Sequence, residues 1–373
     1  MSNILPILKK FDLTKADIVK KYQKDGRKII GCSPYHLPVE LVYASGMRPM
    51  GLWGSYGEIS MAKEYFPAFY CSIVQRILEL SLNGTFDCLS GIMISIQCDS
   101  LKALGQNIKR TLGKNIPYIH VAMAQHRKID VGVDFNEVQY NKVKAQLEEI
   151  SGKEIKDEDI EKAIKLYNKS KILMREFVKL AAKHPEVITP TWRSKVLTIA
   201  NAMDRAEYVE NLEELNNALK EKEEVPWKGL KIVTTGILTN SYSLNQIFEE
   251  NKMAIVEDEV AQESRQFRTL VEENTGNPIR ALAKYLGDIE GDSILFDPDK
   301  KRTDMLIEKV KETGADGIVY VQAKFCDPEE FDYPLFKKVL ENEGIKLLMI
   351  ETDQQMTNFE QARTSLQTFA EML

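Results

Sequence analysis

The chain has 373 residues, of which 43% are hydrophobic and 28% charged, the composition of a globular protein with room for two or three domains. The net charge of −6 argues against a nucleic-acid surface, because phosphate binding requires a concentrated basic face. No apolar run reaches about 18 residues, so we expect no membrane span.

The N-terminal segment alternates charged and apolar residues at helical spacing and lacks the apolar core of a secretory signal. A chain that is not exported keeps its thiols reduced. The five cysteines are therefore interpreted as core residues, metal ligands or catalytic groups rather than as a disulfide framework. We expect a cytoplasmic protein.

Short apolar runs alternating with helical patterns predict a first α/β domain, which with an N-terminal helix occupies residues 1–133. The predicted strands cover residues 28–31, 50–53, 91–96 and 118–123, and two of the helices cover residues 38–45 and 72–82. Nearly continuous apolar strands are typical of parallel sheets that are covered on both faces.

Residues 134–228 predict helices only, including a long helix over residues 157–184 with one apolar stripe. Residues 229–373 predict a second α/β domain with a final helix at 358–372 and strands at 230–234, 253–256, 317–321 and 346–350. The predicted fold class is therefore α/β, with two Rossmann-like doubly wound parallel-sheet domains joined by a helical segment. The two domains could share one topology, although no strong internal repeat is present.

Three cysteines stand where a strand or loop leads into a predicted helix: Cys71, Cys98 and Cys326. They lie 27 and 228 residues apart, so no local motif connects them. Ligands of parallel sheets bind beyond the carboxyl ends of strands, and helix N-termini stabilise thiolates there. However, a lone buried cysteine is an ordinary small apolar residue, and the spacing matches neither ferredoxin nor zinc motifs. The residues alone therefore leave open whether these three cysteines bind a ligand or are structural.

Other candidates are weaker. Cys32 and Cys88 are interpreted as structural, although Cys32 follows the first strand and could face the same crevice. His36, in a strand-to-helix loop, could line that crevice as well. Two polar segments, residues 261–268 and 351–355, fall at the expected ligand face, where they could contact a ligand or make hydrogen bonds between domains.

Helix capping is predicted from three aspartates. Asp99 and Asp327 follow candidate cysteines, and Asp157 begins the long helical pattern. Each is expected to cap the helix that starts there.

Several segments together resemble the beta subunit of the 2-hydroxyacyl-CoA dehydratases. The most specific is Lys324-Phe325-Cys326-Asp327-Pro328-Glu329-Glu330, and the others are residues 46–54, 67–72, 98–101 and 353–372. The lactoyl-, 2-hydroxyglutaryl-, phenyllactyl- and 2-hydroxyisocaproyl-CoA enzymes belong to this family, and benzoyl-CoA reductase subunits are more distant relatives. The resemblance extends over nearly the whole chain.

The resemblance implies a heterodimer with an alpha subunit in anaerobic amino-acid fermentation. It implies a 4Fe–4S cluster in this chain, with Cys71, Cys98 and Cys326 as iron ligands and a fourth ligand that is not cysteine. An ATP-dependent iron–sulfur activator would supply one electron for the radical removal of water from an (R)-2-hydroxyacyl-CoA, which gives a 2-enoyl-CoA. The enzyme would be a lyase that is active only with its alpha subunit.

The resemblance implies that the alpha subunit binds the substrate and uses a serine and a glutamate to do so. This sequence differs from that subunit. Neither is evident in residues 34–38 or 52–54, so the acyl-CoA is expected mainly on the alpha subunit and no residue of this chain is assigned a catalytic role. Two alternatives stay open: a subunit of an acyl- or aryl-CoA reductase, and a cluster-free α/β protein that binds a nucleotide or CoA. Cysteines that lie in separate apolar cores would favour the cluster-free protein.

Overall fold

Two parallel four-stranded sheets organise the computed structural model, which describes residues 4–33, 35–112 and 116–373. The first sheet has the order β2-β1-β3-β4, and its strands are β1 (Ile29–Ser33), β2 (Arg48–Gly51), β3 (Gly91–Ser95) and β4 (Tyr118–Val121). The second has the order β6-β5-β7-β8, and its strands are β5 (Leu230–Gly236), β6 (Met253–Val260), β7 (Gly317–Ala323) and β8 (Lys346–Thr352). The two sheets therefore share one strand order.

All the predicted strands are confirmed, with ends that differ by a few residues. The central strands β1, β3 and β7 are buried along their whole length, as their apolar sequences require. The α/β class and the two parallel sheets are thus confirmed. The doubly wound, Rossmann-like arrangement and the domain boundaries at residues 133 and 228 stay predictions.

Helices connect and flank the strands. They are α1 (Ile4–Leu8), α2 (Lys15–Lys24), α3 (Val39–Ala44), α4 (Ser72–Leu82), α5 (Asp99–Thr111), α6 (Asp130–Ser151), α7 (Asp157–Lys183), α8 (Pro190–Ile199), α9 (Arg205–Lys220), α10 (Tyr242–Glu250), α11 (Pro278–Asp288), α12 (Arg302–Thr313), α13 (Asp327–Asn342) and α14 (Glu360–Met372). Residues 134–227 contain helices and no strand, as predicted. No helix in the described part of the chain is both long and apolar enough to cross a membrane.

The capping prediction is wrong for all three aspartates. The residues in the cap position are Cys98, Lys156 and Cys326, and each aspartate is the first residue inside its helix. An aspartate in the first turn still stabilises the helix through the dipole, so the sequence pattern located the helix start but missed its cap by one residue.

The largest apolar core spans the two α/β regions and the helical segment between them. Phe177 and Leu212, from α7 and α9, pack in the same cluster as Ile92 of the first sheet and Ala323 of the second. Cys71 and Cys326 belong to this cluster. The two cysteines therefore meet through a shared core although they are distant in sequence.

Candidate metal centre

Each of the three candidate cysteines occupies the N-cap of a helix. Cys71 precedes α4, Cys98 precedes α5 at the end of the segment that follows β3, and Cys326 precedes α13 beyond β7. Backbone N–H groups of a first helical turn have no partner within the helix and carry partial positive charge. Three such helix ends are therefore directed at the cysteine sulfurs.

The three cysteines line one cavity of about 380 Å³. Cys71 and Cys326 are 7% and 8% exposed, and Cys98 is partly exposed. Side chains from both α/β regions complete the wall, and the apolar ones are Trp53, Ile73, Val74, Ile237, Ile294 and Phe331. The structure thus brings the predicted residues together, which opposes the interpretation of separate core cysteines.

Burial raises the pKa of all three thiols. It raises the pKa of Cys71 to about 12, and the N–H groups of Ile73 and Val74 offset part of the effect, although no side-chain cap hydrogen bond forms. For Cys326 burial is the largest cause, and the nearby Cys71 and Glu329 raise the pKa further. Without a cation the sulfurs are therefore held as thiols, and a positively charged centre would convert them to thiolates.

Two residues that line the cavity, Trp53 and Gln97, each carry a buried polar atom without a hydrogen-bond partner among the described residues: Trp53 Nε1 and Gln97 Oε1. Burying a polar atom without a partner costs about 1–3 kcal/mol. The cavity wall therefore includes two residues whose buried polar atoms reduce the stability of the fold.

The chemistry of the three thiols is compatible with an iron–sulfur cluster. Within residues 4–33, 35–112 and 116–373 no three His, Cys, Asp or Glu side chains are close enough to share one metal ion. Thiolates that bind different irons of one cluster lie farther apart than the ligands of one ion. Three cysteines would occupy three irons of a 4Fe–4S cluster and leave the fourth to another ligand.

The other two cysteines lie outside this cavity. Cys32 is within β1 rather than after it, and burial raises its pKa to about 12. Cys88 is half-buried in the turn before β3, where its sulfur contacts the Thr85 carbonyl at 3.5 Å. Neither lines the cavity of the three candidate cysteines.

A buried ion-pair network fixes the helix that carries Cys326. Glu329, in the first turn of α13, accepts hydrogen bonds from Arg302 Nη2 at 2.8 Å and Arg265 Nη2 at 3.0 Å. Burial alone would raise the pKa of Glu329, but Arg302 and Arg265 lower it to about 2. Arg265 also donates a hydrogen bond to Glu259 near the end of β6. The predicted polar segment 261–268 therefore helps to hold α13, and with it Cys326, in position.

Gln354 holds the start of α4, the helix that Cys71 precedes, in position. Its Nε2 donates to the Trp53 carbonyl at 2.8 Å, and its backbone N–H donates to Ser72 Oγ at 3.0 Å. The predicted polar segment 351–355 therefore joins β8 to the start of α4. Sequence reasoning placed both polar segments at the correct edge but left their role open between a ligand and inter-domain hydrogen bonds.

His36 does not line the cysteine cavity. It is buried beside it, with Nε2 2.9 Å from Asp292 Oδ2, and it lines a second cavity. Tyr35, which sequence reasoning did not single out, lines both cavities and donates its hydroxyl to Asp292. Gln97 and Gln125 were also missed, because no motif distinguishes a glutamine that follows a strand.

The fold and this site define a class of protein: a two-sheet α/β protein with a three-cysteine cavity where its two halves meet. Residues 34–373 match the family described as 2-hydroxyglutaryl-CoA dehydratase, D-component. The chain is 48% identical to the (R)-phenyllactyl-CoA dehydratase beta subunit of Clostridium sporogenes, over 96% of this chain and 95% of that one. It is 40% identical to the beta subunit of the (R)-2-hydroxyglutaryl-CoA dehydratase of Acidaminococcus fermentans, over 100% of both chains.

Two further relatives extend the comparison. The lactoyl-CoA dehydratase beta subunit of Anaerotignum propionicum is 42% identical over 93% of this chain and 92% of its own. A benzoyl-CoA reductase subunit of Thauera aromatica is 25% identical over 93% of this chain and 91% of its own. The chain belongs to the 2-hydroxyglutaryl-CoA dehydratase D-component family, as a beta subunit of the 2-hydroxyacyl-CoA dehydratases, which are lyases.

Proposed function

We propose that this chain holds a 4Fe–4S cluster on Cys71, Cys98 and Cys326, with a fourth ligand that is not cysteine. The observation that carries the proposal is that three cysteines, each at the N-cap of a different helix, line one cavity. Such a cluster would accept and release one electron.

The chain's own residues would supply three things to the cluster. The thiolates would hold it, the first-turn N–H groups of α4, α5 and α13 would stabilise its negative charge, and the apolar wall would limit access of water. Hydrogen bonds and burial are the protein's main means of setting the potential of a cluster.

The reaction proposed for the assembled enzyme is the removal of water from an (R)-2-hydroxyacyl-CoA to give a 2-enoyl-CoA. Three relatives at 40–48% identity carry the names of dehydratase beta subunits, and this supports it. The same proposal includes an alpha subunit that holds most of the acyl-CoA site, an ATP-dependent activator and a radical route.

An exposed apolar surface at the cavity mouth supports a partner there. Phe331 is 79% exposed although it lines the cavity, and Leu335 follows one turn later on α13 at 54% exposed. Phe69, two residues before Cys71, is 66% exposed. We call Phe69, Phe331 and Leu335 the mouth surface, and we propose that the alpha subunit covers it.

Substitution of a cysteine tests the ligand assignment. In anaerobically purified chain, Cys326→Ala should abolish retention of iron and sulfide, and with it the visible absorption of the cluster, because two thiolates do not hold a cube stably. The circular dichroism spectrum should stay that of the wild type. Iron and sulfide per chain are the deciding measurement.

The matched control is Cys88→Ala, which should keep its iron and cost on the order of 1 kcal/mol of stability for a small cavity. Iron content unchanged by Cys326→Ala, or lost equally in both variants, would contradict the assignment.

A reductase subunit is the second candidate, favoured only by the match to the benzoyl-CoA reductase of Thauera aromatica. An anaerobic assay of the chain with its alpha subunit and activator, on a panel of 2-hydroxyacyl-CoA thioesters, distinguishes the two. We expect 2-enoyl-CoA without net consumption of reductant. Stoichiometric consumption of reductant would favour the reductase.

A further inference from the structure

The second cavity lies apart from the three cysteines, among β1, β2, α3, α7 and α9. Its volume is about 90 Å³, enough for several waters or one small molecule. Lys171, Arg205, Asn201 and Glu40 are among the polar residues of its lining. Nothing in the proposed function uses these side chains.

Lys171 is the feature that points to a ligand. It is 7% exposed, and its Nζ has no hydrogen-bond partner among the described residues. Its one favourable neighbour within the described part of the chain is the ring of Tyr285, whose centroid lies 4.0 Å from Nζ. A buried ammonium without an anion is strongly disfavoured, and a single aromatic ring offsets only part of that cost.

Two further donors in the lining are also without partners among the described residues. They are Asn201 Nδ2 and Arg205 Nε. The other guanidinium nitrogens of Arg205 donate to Ser170 Oγ at 3.0 Å and the Ala200 carbonyl at 2.9 Å, which fixes the orientation of the group. Three residues of the lining therefore carry a buried donor with no hydrogen-bond acceptor in the described structure, and the Arg205 guanidinium also packs on the Tyr167 ring, 4.4 Å from its centroid.

The charges of the lining leave an excess of one positive charge. Arg48 is paired with Asp204, and His36 is hydrogen-bonded to Asp292. Of the remaining charged residues in the described lining, Lys171 and Arg205 are cationic and Glu40 is acidic. A ligand with a single negative charge would balance them.

We propose that this cavity binds a short-chain monocarboxylate. The carboxylate would accept hydrogen bonds from Lys171 and from Asn201 or Arg205. The hydrocarbon part would contact the apolar side of the lining, formed by Leu37, Met174, Leu197 and Met203. The small volume disfavours larger anions, and the site does not depend on the cluster or on the proposed reaction.

Thermal unfolding of the full-length chain tests the proposal, with sodium butyrate and sodium acetate as probes and sodium chloride at equal ionic strength as reference. Both carboxylates should raise the unfolding midpoint in a saturable manner and chloride should not, because only a ligand that binds the folded state stabilises it. Butyrate should act at lower concentration than acetate, since it also buries its alkyl chain.

Lys171→Met should weaken the apparent affinity for butyrate about tenfold or more, the loss expected when a charged hydrogen-bond partner is removed. Without carboxylate it should raise the unfolding midpoint, because it removes an unpaired buried charge. Lys165→Met, at an exposed position of the same helix, is the matched control and should respond to butyrate like the wild type.

Asn201→Asp provides a second test that does not rely on a large change in shape. It adds a negative charge to the lining that also contains Lys171 and should abolish the response to butyrate. Equal midpoints in butyrate and chloride for the wild type would overturn the proposal. A lower midpoint for ligand-free Lys171→Met would also overturn it, because it would show that Lys171 is already paired with Glu40 through water.

Discussion

At the residue scale, Asp204 illustrates how one partly buried carboxylate connects several parts of the chain. It caps α9 by accepting from the N–H groups of Ala206 and Glu207, and it pairs with Arg48 and, at 2.8 Å, with Arg27. Burial raises the pKa of Asp204, but Arg48, the two amides and Arg27 outweigh it and hold the pKa below its ordinary value of 3.8. The helical segment is therefore anchored to the first sheet by this side chain.

Two substitutions separate the cap of Asp204 from its charge. Asp204→Asn keeps a good cap but loses the ion pairs, and should cost about 1–2 kcal/mol of unfolding free energy. Asp204→Ala should cost about 1 kcal/mol more, because the cap is lost as well. Urea unfolding of the full-length chain measures both, and equal losses would show that the cap contributes nothing.

The charge of Asp204 also gives a pH dependence of known sign. Since its pKa is lower in the folded than in the unfolded chain, its contribution is complete above pH 3.8 and is lost as the pH falls through the folded value. The stability difference between wild type and Asp204→Asn should therefore shrink at acid pH. Asp12→Asn, at an exposed pair with Lys195, should differ from the wild type by less than about 0.5 kcal/mol at any pH.

At the element scale, apolar runs were sufficient to predict every strand of the described chain, because the strands of a buried parallel sheet are apolar on both faces. The caps of α5, α7 and α13 were each predicted one residue too late, since an acidic first turn resembles a cap in sequence. The meeting of Cys326 with Cys71 and Cys98 could not be predicted from spacing. It depends on how the second sheet packs against the first, through contacts such as that of Gln354 with Ser72.

Gly236 is a position where the end of a strand lies close to the site. It ends β5 beside Val321 of β7 with φ 136°, and an added Cβ would lie 2.2 Å from the Val321 carbonyl oxygen. Gly236→Ala should therefore cost about 3 kcal/mol or more through clash and strain. Because the next residue, Ile237, lines the cysteine cavity, iron retention should fall too.

Gly276→Ala is the matched control for Gly236→Ala. Its φ of 78° is also left-handed, but no atom lies within 4 Å of the added Cβ, so it should cost only about 1 kcal/mol of backbone strain. Unfolding free energy and iron per chain distinguish the two variants. Equal losses would show that the contact with β7 is unimportant.

At the scale of the whole molecule, the candidate centre lies between the two halves of the chain and opens beside exposed apolar side chains. Cys71 and Cys98 come from the first α/β region, and Cys326 comes from the second. Large apolar groups that remain exposed next to a buried site are typical of protein interfaces. The mouth surface is thus the part of the molecule where a second polypeptide would both meet the site and shield it.

Phe331→Glu tests this assembly. A charge placed at the centre of the mouth surface should weaken binding of the alpha subunit by about 2 kcal/mol or more, roughly 30-fold, because an aromatic residue buried at an interface commonly contributes that much. Titration of the purified alpha subunit, followed by analytical ultracentrifugation, gives the dissociation constant. The control is Val131→Glu, at a side chain 73% exposed on α6, which should bind like the wild type. If both variants bind the alpha subunit normally, the heterodimer uses another face of this chain and the cavity mouth stays accessible.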